Sequence, residues 1–202
     1  MMTRDFIART FKHRVKCYVT ACGKDWKDKR MKTLVVANRK GGVGKTLIST
    51  HAAWWFAERD YRVLVIDLDT QGNTSRTLSA GRQIGDAADL FCGTSIAVQH
   101  GTKDNFSVFR ATEALDTLKA KGATIVKPFV NNLRLLSQGY DVCIVDTSPD
   151  QNHVNVSGLI VASHVIAPLN LGDYALDGVE LMLKTIIGVK EKYNPKLAFV
   201  GL

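Results

Sequence analysis

The chain has 202 residues, of which 46% are hydrophobic, and a formal net charge of +8. That length suits one domain with a substantial core, and no apolar run approaches the roughly 20 residues of a membrane span. The charge is uneven: residues 1–32 hold ten Lys or Arg against three Asp, a net of +7, and the remaining 170 residues hold seventeen against sixteen, a net of +1.

The basic character therefore belongs to the N-terminal segment, and the pI near 9.4 says little about the body. No signal peptide is expected, because no compact apolar stretch follows the basic start. Cys17, Cys22, Cys92 and Cys143 form no C-x-x-C pair. They read as reduced thiols of a cytoplasmic protein.

Within residues 1–31, Ile7, Phe11, Val15 and Val19 recur every fourth residue with Arg and Lys between them. That spacing is compatible with a short basic amphipathic helix that touches DNA or an acidic surface. The favoured reading is plainer: an unpacked extension or upstream translated sequence. Met31-Lys32-Thr33 makes a natural start just before the first strand.

Thr33 to Ala37 reads as a buried strand, and Leu47 to about Asp60 as a helix. Between them lies Lys40-Gly41-Gly42-Val43-Gly44-Lys45-Thr46. Strand, glycine loop, Lys-Thr and helix together form the context of a phosphate-binding loop. Gly41, Gly42 and Gly44 let the backbone bend until successive N–H groups face one concavity. The new helix adds the positive end of its dipole. Lys45 places a full charge on the β- and γ-phosphates, and the Thr46 hydroxyl is placed to ligate magnesium. Trp54, Trp55 and Phe56 on the helix read as core packing, since nothing basic interleaves them.

Arg62 to Asp67 is a second buried strand, and it leads into Asp67-Leu68-Asp69-Thr70-Gln71-Gly72-Asn73. Carboxylates at i and i+2 are expected to point the same way at the end where open α/β sheets bind ligands. Residues 74–110 are hard to read. Asp86 to Phe91 suggests a short helix and Phe106 to Phe109 a short strand, with His100 on the surface. Helices are expected near Thr112 to Lys121 and Pro128 to Gln138. Tyr140 to Asp146 is an apolar strand ending in an acid, the pattern that holds magnesium through water. Asp150, just beyond it, adds negative charge without a visible purpose. Asn152 to Ala162 reads as a helix, Val165 to Leu169 as a strand, Asp173 to about Tyr193 as a helix, and Lys196 to Leu202 as a strand.

Four of these stretches resemble one family. Lys40 is a second lysine that an ordinary phosphate loop does not require, and Lys-Gly-Gly-Val-Gly-Lys-Thr is similar to the signature of the deviant Walker A ATPases, the ParA and MinD group. Asp67 to Asn73 resembles the Asp-x-Asp-Pro-Gln-Gly-Asn of the ParA/Soj branch, with Thr70 in place of Pro. Asp146-Thr-Ser-Pro149 resembles the family's Asp-x-Pro-Pro, with Ser148 in place of Pro. Ala175-Leu-Asp-Gly178 resembles its Ala-Leu-Glu-Gly helix start, and Leu47 stands where many members have Thr or Ser.

The resemblance implies a P-loop α/β fold, a mostly parallel sheet with helices on both faces. It implies an ATP hydrolase using ATP and Mg2+, with Thr46, Asp67 and Asp146 as the metal set. Lys40 would reach the nucleotide of the opposite subunit in an ATP-dependent homodimer, and Asp69 would orient the attacking water. The expected setting is plasmid or chromosome partition, with non-specific DNA, a ParB-type activator and a nucleoid-associated cytoplasmic location.

The alternatives are a MinD-like positioning ATPase, a metal-cluster ATPase of the nitrogenase iron protein type using Cys92 and Cys143, and a nucleotide-binding module that does not turn over. The resemblance spans residues 32–202, and the family continues with further strand–helix units. The chain is therefore expected to be a fragment or a shortened member.

Overall fold

The computed structural model describes residues 30–94, 96–103, 105–169 and 175–201. The amphipathic pattern of Ile7, Phe11, Val15 and Val19, with Cys17 and Cys22, lies outside the described residues, as does the Asp173 start of the last helix.

Among the described residues seven strands form one sheet: β1 (Lys32–Val36), β2 (Val63–Asp67), β3 (Arg82–Asp86), β4 (Phe106–Arg110), β5 (Val142–Asp146), β6 (His164–Ile166) and β7 (Ala198–Gly201). Their order is β3-β4-β2-β5-β1-β6-β7, and the pairings are parallel. The helices are α1 (Lys45–Ala57), α2 (Asn73–Thr77), α3 (Ala114–Lys119), α4 (Val126–Leu136), α5 (His153–Val161) and α6 (Ala175–Lys192).

The central strands are buried along their whole length, because both faces of the sheet are covered. Side chains alternate between the faces. Leu34, Val63, Val65, Val142 and Ile144 pack in one apolar cluster with Ala52, Ala53 and Phe56 of α1. Val35, Leu64, Ile66, Cys143 and Val145 belong to the opposite cluster, with Phe129 and Leu133 of α4, Val154 and Leu159 of α5, and Met182 and Ile186 of α6. Phe56 is fully buried, and burial of a side chain of this size contributes on the order of 2–3 kcal/mol.

The three aromatics of α1 do not share one environment. Successive helical residues turn by about 100°, so three in a row cannot all face the sheet. Phe56 takes the core position, while Trp55 is half-buried, edge-on to Phe56 at 5.0 Å and with the Arg59 guanidinium 4.0 Å from its ring centre. Trp54 is 38% exposed, which corrects its expected place in the core.

Two elements were not legible in the sequence. β3 is an edge strand of partly exposed residues, paired with β4 through a register shift between Gln83 and Gly85. Such an edge needs no continuous apolar run. α2 is a short helix starting right after Gly72. The expected helix at Asp86 to Phe91 is a 3-10 turn, Ala87–Phe91. The expected helix at Thr112 to Lys121 stops earlier, and a 3-10 turn at Gly122–Ile125 leads into α4.

Sheet topology positions the site. Connections after β1 run to the β2 side, and those after β5 cross to β6 on the far side of β1. Ligand crevices of open α/β sheets form where the winding reverses, outside the carboxyl ends of the strands. The loops after β1, β2 and β5 all leave from that edge, with Val36, Asp146 and Asp67 side by side in register.

Candidate phosphate-binding cleft

The glycine loop leaves β1 through Asn38, which is 4% exposed. The Asn38 amide donates to the Pro168 carbonyl at 2.6 Å, and its side-chain oxygen accepts from the Lys40 N–H at 2.9 Å. One side chain thus ties the loop to the end of β6. Gly42 and Gly44 have φ of +71° and +92°, values that L side chains adopt only with strain. A Cβ at either would meet nothing within 4 Å, so backbone angle rather than crowding requires glycine there. Gly44 is the residue that turns the chain into α1. Helix hydrogen bonding therefore starts at Lys45, two residues before the expected Leu47. Val43 is half-buried and is not among the residues lining the cleft.

Lys45 is 7% exposed, and its ammonium donates to the Lys40 carbonyl at 3.1 Å. Burial lowers its pKa, and the Asp146, Asp69 and Asp150 carboxylates oppose that shift. A largely buried cation that feels the charge of three carboxylates is primed for a stronger anion.

Asp146 forms the floor. It is 1% exposed and gathers three hydroxyls. Thr46 donates to Oδ2 at 3.0 Å, Thr74 to Oδ2 at 2.5 Å and Ser49 to Oδ1 at 3.0 Å. Burial pushes its pKa up, and the hydroxyls of Thr74, Thr46 and Ser49 together with the Lys45 charge hold it down. Thr46 lines the cleft and Asp146 lies behind it. A hydroxyl and a carboxylate, both hard oxygen donors, suit magnesium in the donor set of a phosphate site.

Asp67 differs from its expected arrangement. It is fully buried and does not line the cleft. Its Oδ2 accepts from the Ser75 N–H at 2.8 Å and the Ser75 hydroxyl at 2.6 Å, and its Oδ1 accepts from the Asp69 N–H at 3.1 Å. Burial pushes its pKa up to about 6. Asp67 and Asp69 do not point the same way. β2 ends at Asp67, so strand alternation does not carry over to Asp69. Every hydrogen bond of the Asp67 carboxylate holds the following loop and α2, rather than facing the cleft where a metal set would lie.

Asp69 does line the cleft, together with Gly41, Gly42, Gly44, Lys45 and Thr46. Its carboxylate accepts from the Gln71 N–H at 3.0 Å, and its carbonyl accepts from the Gly72 N–H at 2.8 Å. These two bonds, with Gly72 at φ +63°, shape the turn without a proline at Thr70. Ser148 likewise replaces a proline without loosening its loop, since the Asn155 amide donates to its carbonyl at 3.1 Å and its hydroxyl at 2.9 Å. Lys40 is exposed at the loop's start, and its side chain is not among those lining the cleft.

The cleft has a volume of about 1160 Å³. One rim carries Leu47, His51 and Trp54 of α1, with His51 and Trp54 edge-on at 5.6 Å. Another carries Lys119 and Asp150, ion-paired at 2.8 Å. Asp150, without a visible purpose in the sequence, therefore has a basic partner from α3. Sequence reading also missed Ser49, Thr74 and Ser75. Ser49 lies three residues after Thr46, on the same helix face, a spacing that could have flagged it. Thr74 and Ser75 gave no signal, because their carboxylate partners come from other strands.

Among the described residues, Cys92 and Cys143 do not suit a shared metal cluster. Cys143 is fully buried in the core of β5, where burial pushes its thiol pKa up and keeps it protonated. A cluster needs a thiolate presented to its partner. Among the described residues no helix is long and apolar enough to cross a membrane.

A protein-family model described as an AAA domain matches residues 31–199. The chain is 37% identical over 182 residues to the Protein IncC of Escherichia coli, covering 85% of this chain and 50% of that one. It is 31% identical over 175 residues to the chromosome-partitioning ATPase Soj of Thermus thermophilus, covering 86% and 68%. The fold is similar to that of cobyrinic acid a,c-diamide synthase from Mycobacterium smegmatis with bound ATP analogue and magnesium, with a TM-score of 0.72 and 29% identity over 85% of this chain and 74% of that one. The chain spans about half the length of the curated IncC relatives it matches. The glycine loop, the strand-end acids and a family match running through nearly the whole described body place the chain in the ParA/Soj family of P-loop ATPases.

Proposed function

We propose that this chain binds ATP with magnesium in the cleft and hydrolyses it, as the dimeric switch ATPase of a partition system. The observation that carries the reading is the convergence of Lys45, Thr46 and Asp69 on one cleft, with Asp146 directly behind Thr46. Lys45 leaves the Lys40 carbonyl for phosphate oxygens, and the N–H groups of Gly42 to Thr46 close around them. Thr46 and Asp146 would hold the metal, while Asp67 supports the loop that carries Asp69. Bound magnesium neutralises charge that develops on the phosphate oxygens. Asp69, on the open side, orients a water toward the terminal phosphorus and accepts its proton as the bond to the leaving diphosphate breaks. ATP is favoured over other bases by the similarity to an enzyme that binds an ATP analogue.

The ATP-bound form is a homodimer in which each Lys40 reaches the partner's nucleotide. Its exposure outside its own cleft supports that role. The dimer binds DNA without sequence preference, associates with the nucleoid and answers to a ParB-type activator. Steady-state hydrolysis with magnesium, with and without DNA, tests the reading, and sedimentation with ATP tests the dimer. Asp69→Ala keeps ATP binding and the dimer while hydrolysis nearly stops. Lys40→Ala keeps much of the monomer's affinity but loses both hydrolysis and the dimer. Wild-type hydrolysis by Asp69→Ala, or wild-type dimerisation by Lys40→Ala, sinks the mechanism.

A further inference from the structure

We propose that Lys119 is a specificity residue for the nucleotide's terminal phosphate, held by Asp116 and Asp150 until a triphosphate takes it from them. This inference rests on the nucleotide reading above.

Lys119 ends α3, outside every motif of the sequence. Its ammonium lies 2.7 Å from Asp116 Oδ1 and 2.8 Å from Asp150 Oδ2. Lys119 and Asp150 line the same cleft as Lys45, Thr46 and Asp69. Asp150 follows Asp146 by four residues, so this rim stands beside the strand ends where the metal set and Asp69 gather. The Lys45 ammonium feels the Asp150 charge as well as those of Asp146 and Asp69. The terminal phosphate is the part of the nucleotide that faces those strand ends, and the diphosphate stays on the glycine loop.

The energetics favour an exchange of partners. Both carboxylates are about half exposed, at 52% and 51% of the side chain, so water screens them. Exposed ion pairs contribute on the order of 0–1 kcal/mol. A terminal phosphate brings more charge and more acceptor oxygens than a carboxylate, into a cleft that Lys45 also lines. A triphosphate also repels Asp150. Moving Lys119 from Asp150 to the phosphate adds a charged hydrogen bond and leaves the half-exposed Asp150 carboxylate to water. A diphosphate, lacking the terminal group, leaves Lys119 with its carboxylates. Lys119 thereby separates ATP from ADP.

Calorimetric titration with a non-hydrolysable ATP analogue and with ADP, both with magnesium, tests this on the whole chain. Lys119→Gln is expected to weaken the analogue about tenfold while ADP stays within about twofold. Asp150→Asn, which releases Lys119 from one of its two carboxylates and removes a repelling charge, is expected to tighten the analogue several-fold. Both residues are on the surface, and Asp150→Asn carries the test if Lys119→Gln does not fold. Equal losses for the two nucleotides, no loss at all, or weaker analogue binding by Asp150→Asn overturns the assignment of Lys119. Wild-type protein that binds neither nucleotide overturns the nucleotide reading itself and the assignment with it.

Discussion

The rim of the cleft and the buried support beneath it are built on opposite terms. The buried support consists of Asp146 behind the cleft and Asp67 under the following loop, both at most 1% exposed, with each carboxylate saturated by hydroxyl or N–H donors. The charged part of the rim is Asp69, Lys119 and Asp150, all with access to water and none held by more than local turns or screened ion pairs. Buried polar groups must be satisfied before a ligand arrives, since an unpaired one costs about 1–3 kcal/mol. Charges with access to water carry no such obligation and can change partners. The buried support therefore sets geometry, and the rim is free to respond to what binds.

The largest break in this contrast is Lys45→Ala. Lys45 spans both regions, with its stem buried and its ammonium in the cleft. Nothing else in the loop replaces that cation, so triphosphate affinity is expected to fall by about 100-fold or more. Unchanged affinity by calorimetry would remove the phosphate-loop assignment.

A second test uses pH and the buried support alone. Asp67 binds its proton more tightly in the folded chain, with its pKa pushed up to about 6. Protonated Asp67 thus supports the fold fully below about pH 4, and the support is lost as pH rises through about 6. The loss is on the order of 2–3 kcal/mol. Urea midpoints in metal-free buffer should fall across that window in the wild type, and Asp67→Asn should flatten this part of the profile. An unchanged slope in the variant would assign the titration to another group.

Asp146→Asn sharpens the comparison, because it keeps the shape of the floor and removes its charge. Three hydroxyls then compete for one oxygen, at a cost of roughly 1–3 kcal/mol in stability. The gain in nucleotide affinity on adding magnesium should disappear, as read by titration with and without the ion. A preserved magnesium effect would move the metal site elsewhere.

Trp54→Ala is the smallest change. The ring is on the rim and 38% exposed, so stability should shift by under about 0.5 kcal/mol. Thermal melting checks this, and a loss of several kcal/mol would mean that Trp54 packs as a core residue after all.

What the sequence determined by itself was whatever is encoded within a few consecutive residues. Apolar runs ending in Asp67 and Asp146 marked central strands, because strands covered on both faces need unbroken apolar runs. The run from Lys40 to Thr46 marked the phosphate loop, because bending the backbone there demands glycine at Gly42 and Gly44. β3 and α2 were illegible, since an edge strand and a five-residue helix need neither period nor length. Only the tertiary structure decided which acid turns inward, which hydroxyls surround it and which lysine meets Asp150. Those contacts join residues 100 apart for Thr46 and Asp146, 72 apart for Thr74 and Asp146, and 31 apart for Lys119 and Asp150. Separations of that kind carry no local pattern, and strand register at the sheet's carboxyl edge is what brings the partners together.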